Sequence, residues 1–158
     1  MRAEAVVDLM RRLSAGGVTA WLDGGWAVDA LLGEQTREHS DLDLVVDAEA
    51  LDRVRALLDG WQVVRDELPS SLALRDPETG EQVDLHPVRL TPDGGGDQRQ
   101  PDGSDWHYAA PVTGRVAGEP VPCCDLETQL RAHIGYEPRE VDLRDVRALR
   151  ERFPDEPP

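Results

Sequence analysis

Residues 21–46, WLDGGWAVDALLGEQTREHSDLDLVV, constrain this chain more than any other stretch. They read as an apolar strand over 18–22, a glycine turn at Gly24-Gly25, a helix over 26–32 stopped by Gly33, a loop over 34–40 and a second strand over 41–46. Side chains alternate between faces along that second strand, so Leu42 and Leu44 point into a core while Asp41 and Asp43 are presented together on the other face. Residues i and i+2 of a strand stand roughly 6 to 7 Å apart, and carboxylates reaching inward from that spacing can ligate two hard cations about 3.5 to 4 Å apart. The glycine pair bares backbone N–H groups where the helix starts, which suits a phosphate. Neither signal is specific alone. With 32 acidic residues among 158, acid-x-acid arises roughly six times by chance, and a glycine pair serves equally as a plain tight turn. Their succession carries the inference.

The run Gly24-Gly25-Trp26-Ala27-Val28-Asp29 followed by Arg37-Glu38-His39-Ser40-Asp41-Leu42-Asp43 resembles the antibiotic nucleotidyltransferases, a branch of the DNA polymerase β-type superfamily. It is similar to the lincosamide nucleotidyltransferases and the aminoglycoside 2''-adenylyltransferases, which share the glycine pair, the helix and the Asp-x-Asp strand in this order. The resemblance implies an α+β, polymerase β-like nucleotidyltransferase fold: a mixed sheet flanked by helices, with a short C-terminal helical part. It also implies a reaction in which a nucleoside monophosphate, AMP from ATP, passes to a hydroxyl of a small-molecule antibiotic, with two Mg²⁺ ions as cofactors.

Composition narrows the partners. A net charge of -15 repels nucleic acid and attracts cationic small molecules, although plain solubility is an equally direct consequence. All 17 basic residues are arginine, so any phosphate clamp uses arginine, backbone amides or metal. No apolar run has membrane-spanning length, and acids stand in the first ten residues where a signal peptide is apolar; the expected location is the cytoplasm. Cys123 and Cys124 are adjacent, which suits neither an ordinary disulfide framework nor a zinc ligand set. They read as buried or idle thiols.

Along the chain, Val6, Leu9, Met10 and Leu13 define an amphipathic helix over 3–15 stopped by Gly16-Gly17. The loop over 34–40 delivers Arg37 and His39 beside the acidic strand. Arg37 is a candidate for a triphosphate oxygen and His39 for orienting a metal-bound carboxylate; hydrogen bonds within the loop are the competing reading. Asp47 caps a helix over 48–59, and strands over 61–67, 72–75 and 81–88 form an antiparallel meander. In the last of these, Asp84 and His86 share a polar face opposite Val83 and Leu85, so a third carboxylate is presented. A carboxylate beside two cations can bind metal and accept a proton. The segment Gln82-Val83-Asp84-Leu85-His86-Pro87 is similar to the family segment that carries its third acidic residue, which gives that role to Asp84. His86 is a minor contact candidate.

Residues 1–90 are thus expected to form the nucleotidyltransferase core, 91–105 a flexible loop, and 106–158 a hairpin and C-terminal helices completing the same domain. Trp106, His107 and Tyr108 serve either as a stacking surface or as a core anchor. The first C-terminal helix, capped by Asp125, runs through Leu126, Leu130 and Ile134 to Gly135; the second is capped by Asp142, with Asp145 three residues on, and aligns Val146, Leu149 and Phe153. Both are expected against the meander. Tyr136, Glu137 and Arg139 line either an acceptor site or a linker, and the last four residues form a disordered tail.

The site expected from residues and resemblance together comprises Asp41, Asp43 and Asp84 as metal ligands, Asp84 also as base, and Gly24, Gly25, Arg37 and His39 about the nucleotide. The acceptor is expected to be a cationic antibiotic. The small C-terminal part is similar to the lincosamide-type architecture, which implies a homodimer. Two other readings use the same residues: a protein-directed adenylyltransferase of antitoxin type, and a module that binds nucleotide or antibiotic without chemistry.

Overall fold

The computed structural model describes residues 1–132 and 137–154. Ile134, Gly135, Tyr136 and the terminal residues 155–158 lie outside the described residues. A mixed sheet in the order β3-β4-β5-β2-β1-β9-β8 forms the centre. Its strands are β1 (Ala20–Asp23), β2 (Leu42–Asp47), β3 (Gln62–Glu67), β4 (Ser71–Arg75), β5 (Gln82–Leu90), β8 (Val112–Val116) and β9 (Glu119–Cys123). Helices α1 (Ala3–Ala15), α2 (Gly24–Leu32), α3 (Leu51–Leu57), α4 (Leu126–Ala132) and α5 (Glu140–Arg152) pack around it. No described helix is long and apolar enough to cross a membrane.

Strand register decides where the acidic side chains meet. β1 runs antiparallel to β2, β2 parallel to β5, and β5 antiparallel to β4. A parallel neighbour needs a long crossover, and residues 48–81 supply it with α3, β3 and β4. Because β2 and β5 start at the same end of the sheet, Asp43 pairs with Asp84, and Asp23 at the end of β1 pairs with Asp43 from the other side. Leu44 and Leu85 pair on the opposite face and are fully buried, as are Leu22 and Leu42. Burying each such side chain contributes about 1.5 to 3 kcal/mol.

Several elements differ from the sequence expectation. α2 starts at Gly24 rather than Trp26, and Gly24 itself adopts φ +57°, a left-handed turn that glycine enters without strain. The expected helix over 48–59 is a 3₁₀ turn (Ala48–Ala50) followed by α3, while Asp47 does cap it, its carboxylate accepting from the Glu49 N–H at 3.0 Å. The expected flexible loop over 91–105 contains strand β6 (Gly96–Arg99), paired with the end of β5 and with β7 (Asp105–Tyr108). Apolar alternation is missing there because polar contacts hold the hairpin: buried Gln98 donates to the Ser70 carbonyl at 2.6 Å. β9 also pairs parallel with β1, through Leu22 and Cys123, which joins the expected hairpin to the central sheet.

The C-terminal helices settle on α2, not against the meander. Leu126 and Leu149 meet Val28 in a second buried cluster. α5 begins at Glu140, so Asp142 is its third residue rather than its cap, and its carboxylate reaches back to the Arg139 N–H at 2.8 Å.

α2 also anchors the loop that leads into β2. Asp29, 2 % exposed, accepts from the Thr36 N–H (3.0 Å) and hydroxyl (2.6 Å) through Oδ1, and its Oδ2 lies 2.5 Å from His39 Nε2. The imidazole is stacked on Trp26, ring centroids 4.5 Å apart. Replacing Asp29 by Ala leaves buried His39 and two partly buried Thr36 donors without their acceptor and is expected to cost about 3 to 5 kcal/mol in denaturant unfolding. Thr36→Ala, which removes one partly buried hydroxyl, should cost about 1 kcal/mol in the same measurement.

Candidate active site

The start of α2, the ends of β1, β2 and β5, and the inward faces of α4 and α5 enclose a cavity of about 690 Å³. Its lining includes Gly24, Gly25, Arg37, His39, Asp41, Asp43 and Asp84, so every residue of the expected site converges on one place. A groove of similar volume, about 670 Å³, between α1 and β9 is walled mostly by apolar side chains and gathers no comparable row of acids. The first is the candidate active site.

At the base of the cavity three aspartates stand in register on adjacent strands: Asp23, Asp43 and Asp84. Each has its own partners. Tyr108 donates its hydroxyl to Asp23 Oδ2 at 3.0 Å, and the Gln129 amide donates to Oδ1 at 2.7 Å. His86 Nε2 lies 3.1 Å from Asp43 Oδ1. Arg65 donates to Asp84 Oδ2 at 2.6 Å, and Gln82 to Oδ1 at 2.7 Å. Asp41, just ahead of β2, accepts from the Ser40 hydroxyl at 3.1 Å.

The electrostatics are those of crowded negative charge. Burial raises the pKa of Asp43, the hydrogen bond and charge of His86 oppose this, and Asp23 and Asp41 push it up further; the net direction is upward. For His86, burial alone lowers the pKa, but the hydrogen bond to Asp43 and the charges of Asp23, Asp43 and Asp84 outweigh it and leave it raised. Burial, reinforced by Asp23, lifts the Tyr108 phenol well above its ordinary value, so it remains a donor. The two cysteines are buried and free, and burial pushes Cys123 up to about 11. Neither is an activated nucleophile.

The glycines are required sterically. A Cβ on Gly24 would strike the Asp43 carboxylate, and one on Gly25 would strike Arg37 Nη2 and lie 2.6 Å from His39 Nδ1. With no side chain there, the N-terminus of α2 and its partial positive charge open onto the cavity beside the acids. Arg37 and His39 reach the cavity with different partners from those expected. Arg37 is clamped by Asp145 of α5, Nε to Oδ1 at 3.2 Å and Nη2 to Oδ2 at 2.8 Å. His39 serves Asp29 rather than a carboxylate of the acidic strand.

Sequence reading passes over Asp23, Arg65, Gln129 and the inward role of Asp145. Asp23 offers one signal, an acid directly before the glycine pair. The others are brought in by β3, α4 and α5, and nothing local marks them.

The residues fit divalent cations in chemistry, since hard carboxylate oxygens converge and Asp43 is under-compensated where it stands. Among the described residues, however, no three His, Cys, Asp or Glu side chains are grouped closely enough to hold a metal ion. Asp84 has one donor on each oxygen, Arg65 and Gln82, so a cation ligated there shares the carboxylate with both.

Known proteins are similar to this chain in sequence and in fold. The sequence profile of the aminoglycoside-2''-adenylyltransferase family matches residues 5–149. A lincosamide resistance protein of Staphylococcus haemolyticus is 35% identical over 153 residues, spanning 92% of this chain and 90% of that protein. A 2''-aminoglycoside nucleotidyltransferase of Escherichia coli is 33% identical over 119 residues, 73% of this chain and 63% of that protein. The crystal structure of the lincosamide antibiotic adenylyltransferase LnuA with lincomycin bound superposes with a TM-score of 0.79 at 33% identity, covering 92% of each chain. With its family profile, its relatives and the carboxylate row on a shared fold, the chain belongs to the aminoglycoside-2''-adenylyltransferase family and is a nucleotidyltransferase.

Proposed function

We propose that this enzyme transfers AMP from ATP to a hydroxyl group of a cationic small-molecule antibiotic, a lincosamide in the first place and an aminoglycoside in the second, and so inactivates it. The observation that carries this reading is the register of Asp43 with Asp84 beside the bare glycine turn, which sets acidic oxygens against an anion-binding helix terminus in one cavity. The ranking of acceptors follows similarity: the chain is 35% identical over 153 residues to the lincosamide resistance protein and 33% identical over 119 to the aminoglycoside enzyme, with a TM-score of 0.79 against LnuA and 0.71 against ANT(2'')-Ia. The charge of -15 favours either amine-bearing acceptor.

In this reaction the acceptor oxygen attacks the α-phosphorus, the bond from that phosphorus to the bridging oxygen breaks, and pyrophosphate leaves. Asp84 takes the hydroxyl proton; Gln82, donating to its Oδ1, keeps the carboxylate aimed into the cavity. The N–H groups at Gly24 and Gly25 receive the phosphate oxygens, for which the absence of Cβ atoms leaves room. Asp41, Asp43 and Asp84 would hold two Mg²⁺ ions, which supply charge neutralisation at the triphosphate and a lower pKa for the attacking hydroxyl. His86 fixes the rotamer of Asp43, and Tyr108 and Gln129 hold the Asp23 carboxylate in place beside it.

Incubation with ATP, Mg²⁺ and a panel containing lincomycin and tobramycin, read by mass spectrometry, should yield an acceptor carrying one added AMP together with pyrophosphate. Adducts on protein alone, or none on any member of the panel, would remove this reading. Asp43→Asn is expected to lower turnover about 10³-fold, the rate equivalent of several kcal/mol of charge stabilisation, with an unchanged melting curve. Asp84→Asn should lower it about 10²- to 10⁴-fold, as loss of a base does, and near wild-type turnover in that variant would reassign the proton acceptor.

A further inference from the structure

The register row that carries the three aspartates extends further: Asp23 of β1, Asp43 of β2 and Asp84 of β5 are followed by Ala73 of β4 and Arg65 of β3. Arg65 joins that row only because β3 is irregular. Val63 pairs with Leu74, and the next pairing is Arg65 with Ala73, so Val64 is an extra residue in β3. In an unbroken ladder Val64 would oppose Ala73, and Arg65 would fall one position on, facing the other side of the sheet. A bulge that re-aims one side chain is a recurring device at the border of an active site. Ala73 is fully buried and short, so the arginine passes over it to reach Asp84.

Three arginines line the cavity, and the chain has no lysine. Arg37 is held on both oxygens of Asp145, and Arg139 is engaged by Asp142. Arg65 is different. Its shorter ion pair is with the carboxylate that the proposed chemistry requires, a longer one of 3.4 Å runs from Nε to Glu67 on its own strand, that edge strand has all six residues exposed, and the Arg65 side chain is itself 44% exposed. While that ion pair persists, the guanidinium charge beside Asp84 opposes a cation on the same carboxylate and disfavours its protonation. A triphosphate entering the cavity brings oxygens that match a guanidinium as well as a carboxylate does.

We propose that Arg65 is a phosphate-binding residue that competes with divalent cations for Asp84 and exchanges that carboxylate for triphosphate oxygens when the nucleotide enters. The proposal rests on the nucleotidyltransferase reading of the site. It makes the Arg65–Asp84 pair a guard: Asp84 is released for metal and proton only when phosphate is present to receive the guanidinium.

The guard gives two effects of opposite sign, neither of which needs turnover. Mn²⁺ binding without nucleotide, followed by electron paramagnetic resonance, should be about 10-fold tighter in Arg65→Gln than in wild type, because a competing cation has left Asp84. ATP binding at saturating Mn²⁺, followed by calorimetry, should be about 10- to 100-fold weaker in the same variant. Arg65→Lys, which keeps the charge without the planar fork, should fall between the two in both assays and stands in if the glutamine variant does not fold. Unchanged or weaker Mn²⁺ binding, or unchanged ATP binding, overturns the proposal while wild type still binds both. A wild-type protein without Mn²⁺-dependent ATP binding overturns the underlying reading and this one with it.

Discussion

Parallel pairing of β2 with β5 is the constraint on which the rest of the molecule depends. It sets Asp43 against Asp84 near the starts of two strands, and antiparallel β1 adds Asp23 to the same row. Like charges gathered on one face oppose folding, and each carboxylate is offset separately. Asp23 takes the Tyr108 hydroxyl and the Gln129 amide, Asp43 the His86 imidazole, and Asp84 Arg65 and Gln82. The compensation is incomplete at Asp43, whose pKa stays raised by burial and by its acidic neighbours. A site in that condition gains from any cation delivered to it, and a nucleoside triphosphate arrives with its own.

α2 couples this acidic face to everything around it. Its first two residues are glycines because Asp43, Arg37 and His39 fill the space that side chains would need. Its middle holds the loop through Asp29, with Thr36 and His39 as partners. Its outer face receives Leu126 of α4 and Leu149 of α5 at Val28. α5 in turn presents Asp145 to Arg37, so the helix that closes the cavity is also the counter-charge for the loop arginine. Nine residues thus link the side-chain-free edge of the cavity, loop position and the placement of the C-terminal helices.

Much of this is legible in the chain. The alternation of Asp41, Leu42, Asp43 and Leu44 assigns acids and leucines to opposite faces, and Asp84 among Val83 and Leu85 repeats the pattern later in the sequence. Stiff, periodic segments report their own conformation, since one buried face leaves no freedom in register. The hairpin β6–β7 escapes notice because its first strand carries Gly96, Asp97, Gln98 and Arg99, residues with no apolar period; hydrogen bonding and the edge of β5 hold them instead. Asp142 looks like a helix cap because the capping box places a carboxylate three residues inside the helix, and sequence alone does not say which of two acceptable positions begins the turn.

Local composition therefore determined which residues are acidic, which face they occupy and that a side-chain-free turn precedes them, because these depend on strand period and glycine stereochemistry within a few residues. Only the folded chain decided who neutralises whom. Arg65 reaches Asp84 through one extra residue in β3, Asp145 reaches Arg37 across 108 positions of sequence, and Gln129 reaches Asp23 across 106. Such partnerships arise from the order in which strands are laid into the sheet and from where α4 and α5 come to rest. That order is a global minimum over many burials, and no short stretch of residues encodes it.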